Sequence, residues 1–502
     1  MTATTPRTGP GPVPPAPETP AEQSLDPDDW DAYRRLAHQA VDDLVDRMAG
    51  RRSQPVWQPM PDDVREAFTG PLPREGVGAE TAYREVMERV APYTMGNDHG
   101  RFWGWYMGAG NPVGNLADLV ASVLNPNLGG GDHAPVDLER QVVRWCAEAV
   151  GYPTDASGLL VGGASEANLV GLAVARSAVL GPRVRTEGIG ALGPVSVYAS
   201  AEVHSCHRKA CELLGLGEAA LRLVPTTDDL TMDVAALAAA VAADRAAGVT
   251  PLAVVATAGT INSGAVDDLG AIADVARREG IWFHVDGAIG GFLGLSGAAH
   301  LVRDLHRADS VALDLHKWMQ APIDVGLVLV RDEQAHRDTF SIVPAYLQHA
   351  TRGLAAGDTW FNEYGIALSR GFRALRVWMA LRAHGADAFG RLMDQSTAQA
   401  RYLAALVDAH PDLERVAPVG CDIVCLRYAP GGVDPTLLDA VNRELVVLVQ
   451  ESGVAVVSES SLGGRLIVRV AIGNHRTVSE DLDLLVSTIE RLGPEAVASA
   501  GG

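Results

Sequence analysis

The chain has 502 residues, a formal net charge of −21 and 47% hydrophobic residues. Such a length allows a large core and more than one domain. The acidity, with no basic stripe, excludes nucleic acid and anionic membrane as expected partners and is read as a solubility feature, and no apolar run is long or uniform enough to span a bilayer.

Residues 1–27 are rich in proline and small residues and lack the apolar core of a signal peptide, so a disordered tail is expected. WDAYRRLAHQAVDDLVDRMAG (30–50) carries Leu36, Ala40, Val41, Leu44, Val45 and Met48 at helical spacing and ends at a glycine. A proline-broken link and a second helix near 80–91 complete an N-terminal helical segment, 28–110. From about residue 157 the pattern turns regular. Strands are predicted at 195–200, 220–226, 252–259, 281–286, 310–315 and 325–332. Between the first four lie helices at 204–217, 232–248 and 266–280. Alternating strands and helices imply a mostly parallel sheet covered by helices on both faces, an α/β fold class. Residues 338–365 read as a long loop, and 371–385 returns to helix. The large domain is therefore set at 111–394 and a smaller C-terminal α/β domain at 395–495, with a frayed tail at 496–502.

Five cysteines (Cys146, Cys206, Cys211, Cys421, Cys425) are odd in number and scattered. They argue against a disulfide framework. The pair in CDIVCLRY has no matching Cys/His pair elsewhere, so no metal site is expected. A reduced, cytoplasmic setting fits.

Ligands of parallel sheets bind beyond the carboxyl ends of the strands, and His204, Thr260, Asp286 and Lys317 all follow predicted strands. In SVALDLHKWMQAP, Lys317 sits among apolar residues, where an ammonium is costly unless paired or neutral. Two readings stay open: a strand end reaching solvent, or an amine kept for Schiff-base chemistry. In LLVGGASEANLVGL, paired glycines lead into Ser165 and a helix, which suits either a phosphate or an ordinary cap. His204 in EVHSCH is structural or catalytic. Asp286 in FHVDGAIGGF caps a turn or meets a ring nitrogen, with small residues after it that let something flat come close. Together the four describe a site for a phosphorylated, aromatic, carbonyl-bearing cofactor, and pyridoxal 5′-phosphate has those features.

HVDGAIGG and DLHKW, supported by GGASEANLVGL and RFWGWY, resemble the group II pyridoxal-phosphate-dependent amino-acid decarboxylases of the aromatic-L-amino-acid decarboxylase type, over residues of about 28 to 490. The resemblance implies the PLP-dependent transferase fold type I, with 111–394 as the cofactor-binding domain, and a homodimer with shared active sites. It makes Lys317 the Schiff-base lysine and Asp286 the partner of the pyridinium nitrogen. It stacks His204 on one ring face and Ala288 on the other. Ala164 and Ser165 would hold the phosphate with His316, Asp314 would stand nearby, and Thr260 would offer a hydroxyl. Tyr346 matches the tyrosine of the family's mobile loop and, with His204, would return a proton after CO₂ leaves. Relatives that release an aldehyde instead have lost that tyrosine or that histidine. Both are retained here, so decarboxylation of an L-amino acid to the amine and CO₂ is expected, with oxidative decarboxylation-deamination to an aldehyde as the alternative. Trp103, Trp105 and Tyr106 could embrace an aromatic side chain, or be plain core. The stretch 124–137 departs from the family by three glycines, Asp132 and His133. Tryptophan, tyrosine, phenylalanine and dihydroxyphenylalanine are the expected substrates, with an acidic or basic amino acid left open.

Overall fold

A computed structural model describes residues 24–342 and 350–501. The chain starts with α1 (Trp30–Gly50), capped by Asp29, whose side chain accepts from the Asp31 and Ala32 N–H groups. The short α2 (Asp62–Ala67) and α3 (Ala79–Arg89) follow, then α4 (Pro112–Leu124) and α5 (Ala134–Ala149). None of the α1 residues is buried. Its apolar stripe, including Val41, Leu44 and Val45, lies exposed, as do Leu116, Leu119, Val123 and Leu124 of α4.

The large domain is built on seven strands: β1 (Ser157–Val161), β2 (Val195–Ser200), β3 (Leu221–Val224), β4 (Thr250–Thr257), β5 (Trp282–Asp286), β6 (Ser310–Asp314) and β7 (Gly326–Val330), in the order β1-β7-β6-β5-β4-β2-β3. From β3 through β2, β4 and β5 to β6 all pairings are parallel, and only β7 runs against its neighbours. Helices α6 (Ala164–Leu180), α7 (Arg183–Glu187), α8 (Cys206–Leu213), α9 (Val234–Ala246) and α10 (Leu269–Glu279) connect the first five strands. Both faces are covered, so β2, β6 and β7 are buried along their whole length. Local chemistry marks the helix ends. Asp268 accepts from the Ala271 N–H to start α10, and Gly280 at φ +63° ends it, a left-handed turn that glycine adopts without a Cβ clash.

After β7 come α11 (Glu333–Phe340), an irregular stretch, α12 (Ala374–His384) and α13 (Ala386–Ala409). The small domain is an antiparallel sheet of β8 (Leu413–Arg415), β9 (Ile423–Tyr428), β10 (Ser458–Leu462) and β11 (Arg465–Ala471), in the order β10-β11-β9-β8. It packs on α14 (Leu438–Glu451) and α15 (Ser479–Gly501). The long α13 crosses the expected 394/395 boundary: Phe389 and Met393 belong to the large core, Leu403 and Val407 to the small one. The expected frayed tail is corrected. Helix α15 runs through Gly501, because Ala496 is buried in the small-domain core and draws the last turns onto it.

Candidate active site

A cavity of about 460 Å³ opens at the carboxyl ends of the parallel strands. Lys317, Asp286, His204, Ala288, Ala164, Ser165, Asp314, His316, Trp105 and Tyr106 all line it. A larger cleft of about 610 Å³ beside α5 has no lysine in its wall. The chain's only other lysine, Lys209, is exposed on α8.

Lys317 follows β6, its side chain 17% exposed, with Nζ 3.1 Å from Asp314 Oδ2 and 6.0 Å from the Tyr106 ring centre. Asp314 is buried at the end of β6. Its other oxygen accepts the Ala164 N–H at 2.8 Å and lies 3.4 Å from His316 Nδ1. The two arms of the site, the glycine turn before α6 and the turn that carries the lysine, are thus tied through one carboxylate. The glycine turn is also pressed from below: a Cβ on Gly326 would come within 2.5 Å of the Gly163 backbone.

Asp286 ends β5. Its Oδ1 accepts the Ala288 N–H at 3.1 Å. Its Oδ2 accepts from Asn168 Nδ2 at 3.0 Å and from His207 Nε2 at 2.9 Å. Burial alone would raise this carboxyl, but the His207 hydrogen bond and the charges of His207 and Lys317 bring it well below the ordinary carboxylate range. Asn168 is held in turn by His284 Nε2, 2.7 Å from its oxygen. His284 fits under α6 because residue 171 is glycine, where a Cβ would meet the imidazole at 2.6 Å.

Sequence reasoning missed His207 and Asn168. A usable signal was present. His207, Ala210 and Cys211 fall at helical i, i+3, i+4 spacing, as do Asn168, Gly171 and Leu172, which puts both polar groups on buried helix faces.

Three expectations need correction. Trp103 is absent from the cavity wall. It is 1% exposed in the small-domain core, its indole N–H donating to Thr477 Oγ1 at 3.1 Å, because its backbone N–H donates to the Val456 carbonyl next to the bridge that Phe102 makes with Val456. Thr260 is fully buried, its hydroxyl engaged by Ser263 Oγ and the Ala265 N–H. Thr257 lines the cavity instead, with a buried hydroxyl that meets no partner among the described residues. Ala164 is in place, but its N–H is already taken by Asp314, which leaves the next residue, Ser165, to meet a phosphate. Tyr346 lies outside the described residues.

The residues present fit pyridoxal phosphate. A lysine amine stands beside an exposed helix start that holds Ser165. A buried carboxylate lies across the cavity, with fewer donors on one oxygen than on the other. The unpartnered Thr257 hydroxyl, with His204 and Ala288 both in the cavity wall, completes the cradle. Fold and site define an enzyme that uses this cofactor. The family model of the pyridoxal-dependent decarboxylase conserved domain matches residues 61–429, and the chain belongs to that family. It is 33% identical over 472 residues to an aromatic-L-amino-acid decarboxylase of Bacillus atrophaeus, covering 93% of this chain and 96% of the relative. It is 30% identical over 464 residues to a phenylacetaldehyde synthase of Arabidopsis thaliana, covering 89% and 93%. The crystal structure of an Oryza sativa TDC with PLP and tryptamine superposes with a TM-score of 0.87 at 29% identity, covering 94% of this chain and 100% of that one. The protein is a pyridoxal-phosphate-dependent amino-acid decarboxylase.

Proposed function

We propose that the substrate is an aromatic L-amino acid, converted to its amine and CO₂. The observation that carries this reading is the wall around Lys317. Trp105, Tyr106, Met107, Ile261 and Ile289 are aromatic or apolar, and among the described residues of the wall there is no arginine to take an acidic side chain. Arg469, buried on β11 beside Tyr106 and Asp422, lies outside that wall.

Bound pyridoxal phosphate supplies the carbonyl and the electron-accepting ring that CO₂ loss requires. Lys317 would hold the cofactor through its amine, and Asp314, 3.1 Å from Nζ, would pair with the amine whenever it is free and protonated. Asp286 holds a proton at the ring nitrogen. His204 and Ala288 would hold the ring between them, and Ser165 and His316 would hold the phosphate. Tyr346 and His204 would supply the proton that the carbon needs once CO₂ is lost. The same reading places the enzyme in the cytoplasm, a setting supported by five buried, unpaired cysteines. It also makes the enzyme a homodimer, supported by the exposed apolar faces of α1 and α4, which a second copy would cover.

The test is a product assay in air: purified protein, pyridoxal phosphate and a panel of aromatic, acidic and basic amino acids, read by mass spectrometry. Amine from aromatic substrates without hydrogen peroxide supports the proposal. Aldehyde with peroxide and ammonia would replace it with the oxidative reaction, and turnover confined to acidic or basic substrates would overturn the substrate class.

A further inference from the structure

Two arms of different character converge on Asp286 Oδ2. The first is neutral and has only one consistent direction. A carboxylate only accepts, so Asn168 turns its amide nitrogen to Asp286 and its oxygen to His284 Nε2. That nitrogen of His284 therefore carries the hydrogen. Its Nδ1, 2.7 Å from Ser310 Oγ, accepts from that hydroxyl, and Ser310 Oγ accepts the indole N–H of Trp282 at 2.8 Å. Every polar group in this chain is satisfied with His284 neutral. Burial and the neighbouring His207 charge push His284 down to about 3, in keeping with that state.

The second arm is His207. Its ring is wholly buried, its Nε2–H donates to Asp286 Oδ2, and its Nδ1 meets no hydrogen-bond partner among the described residues. Beside it stands the Cys206 thiol: the ligand atoms of Cys206, His207 and Asp286 lie within 4.8 Å of one another. A positive charge on this ring is answered by Asp286, in hydrogen-bond contact, and by the Cys206 thiol beside it. We propose that His207 is a positioning residue that stays an imidazolium against Asp286, so that Asp286 remains ionised and the cofactor's ring nitrogen keeps the shared proton. The proposal rests on the pyridoxal-phosphate reading of the site.

The remaining groups facing this pair agree with it. Cys206 belongs to the same helix, α8. His284 of β5 meets His207 edge-on with ring centres 6.3 Å apart, and Lys317 faces Asp286 from the turn after β6. Helix α6 contributes Asn168, which does not titrate. Burial opposes charge on His207, but the Asp286 hydrogen bond and the Cys206 thiol outweigh it and push the imidazole up to about 10. The roles then divide: Asn168 sets the direction of the carboxylate, and His207 sets its charge.

His207→Gln keeps a donor toward Asp286 and removes the charge. His207→Leu removes both. The readout is retention of bound pyridoxal phosphate, followed by absorbance after rapid desalting across a pH series, so no turnover is needed. Loss of the imidazolium should raise the pH at which acid strips the cofactor by about 1–3 units, the usual effect of an opposite charge at this range, and should do so in the Gln variant as well as the Leu variant. A Gln variant with the wild-type midpoint would overturn the proposal, because a purely structural hydrogen bond is all that it would then reveal. Should both variants fail to fold, ¹⁵N-histidine spectra of the wild-type apoenzyme decide. A His207 ring doubly protonated at pH 8 supports the proposal, and one that titrates near the ordinary value of about 6.5 overturns it. A wild-type protein that binds no pyridoxal phosphate would instead sink the cofactor reading, a separate outcome.

Discussion

Replacing Asn168 with leucine tests the neutral arm of the site. The side chain is 1% exposed and bridges two buried groups. Leucine has a similar shape, so the cavity contribution is small and the polar terms dominate. Asp286 loses one of its three donors, a hydrogen bond to a charged group worth about 1.5–3 kcal/mol. His284 Nε2, in a ring with no exposure, loses its acceptor, and an orphaned buried donor costs about 1–3 kcal/mol. The sum is about 2.5–6 kcal/mol. A change of tautomer would relieve part of the second cost, which places the outcome toward the lower end. The assay is urea unfolding of the apo protein followed by fluorescence and circular dichroism, with coincident transitions required before a free energy is taken. A destabilisation below about 1 kcal/mol would refute the reasoning, since the bridge would then contribute no more than an ordinary surface hydrogen bond. Pyridoxal phosphate should also bind more weakly, because Asp286 is then held by only two of its three donors, His207 and the Ala288 N–H.

Four further outcomes are expected. Lys317→Ala should abolish turnover and the absorbance of covalently held cofactor while leaving the apo fold intact, checked by circular dichroism. Arg370→Ala should destabilise the protein by about 3–5 kcal/mol in thermal or urea unfolding, because it strands the fully buried Glu139 and frees the Leu128 and Leu160 carbonyls that Arg370 binds. Gly326→Ala should cut pyridoxal phosphate affinity in a fluorescence titration, since its Cβ would push Gly163 and the Ala164 N–H away from Asp314. Asp267→Asn should cost about 1–3 kcal/mol at neutral pH, because the two carboxylate oxygens accept the Met232 and Thr257 N–H groups and an amide can serve only one. Burial raises Asp267 to about 6 despite those bonds, so the folded state holds its proton more tightly than the unfolded chain. Its contribution is therefore greatest below about 4 and declines as pH rises through about 6. The Asn variant should flatten that part of the stability–pH curve.

Much of the architecture and the centre of the site can be read from local patterns. Apolar runs bounded by glycines and charges mark the strands, and β2, β4, β5, β6 and β7 fall where the periodicity puts them, within about two residues at either end. Residue chemistry at strand ends identifies His204, Asp286 and Lys317, because a parallel sheet collects those ends on one side. Such signals are short-range, and each involves residues adjacent along the chain.

Only the tertiary structure decides which residues meet across the sheet. Asn168 and His207 reach Asp286 over 118 and 79 positions, through a strand order that places β5 at the centre and α6 and α8 beside it. The choice among Trp103, Trp105 and Tyr106 depends on the bridge to the small domain at Val456, about 350 residues away along the chain, which turns Trp103 into a second core and leaves the others at the cavity. Thr257 and Thr260 differ by one turn of a loop, which buries one hydroxyl in local bonds and leaves the other facing the cavity. The Ala164 N–H looks available to a phosphate until Asp314, 150 residues on, is seen to accept it. Sequence determines where polar groups stand along each strand and helix. Packing determines which of them are already satisfied, and a buried group left unsatisfied is the one available for chemistry.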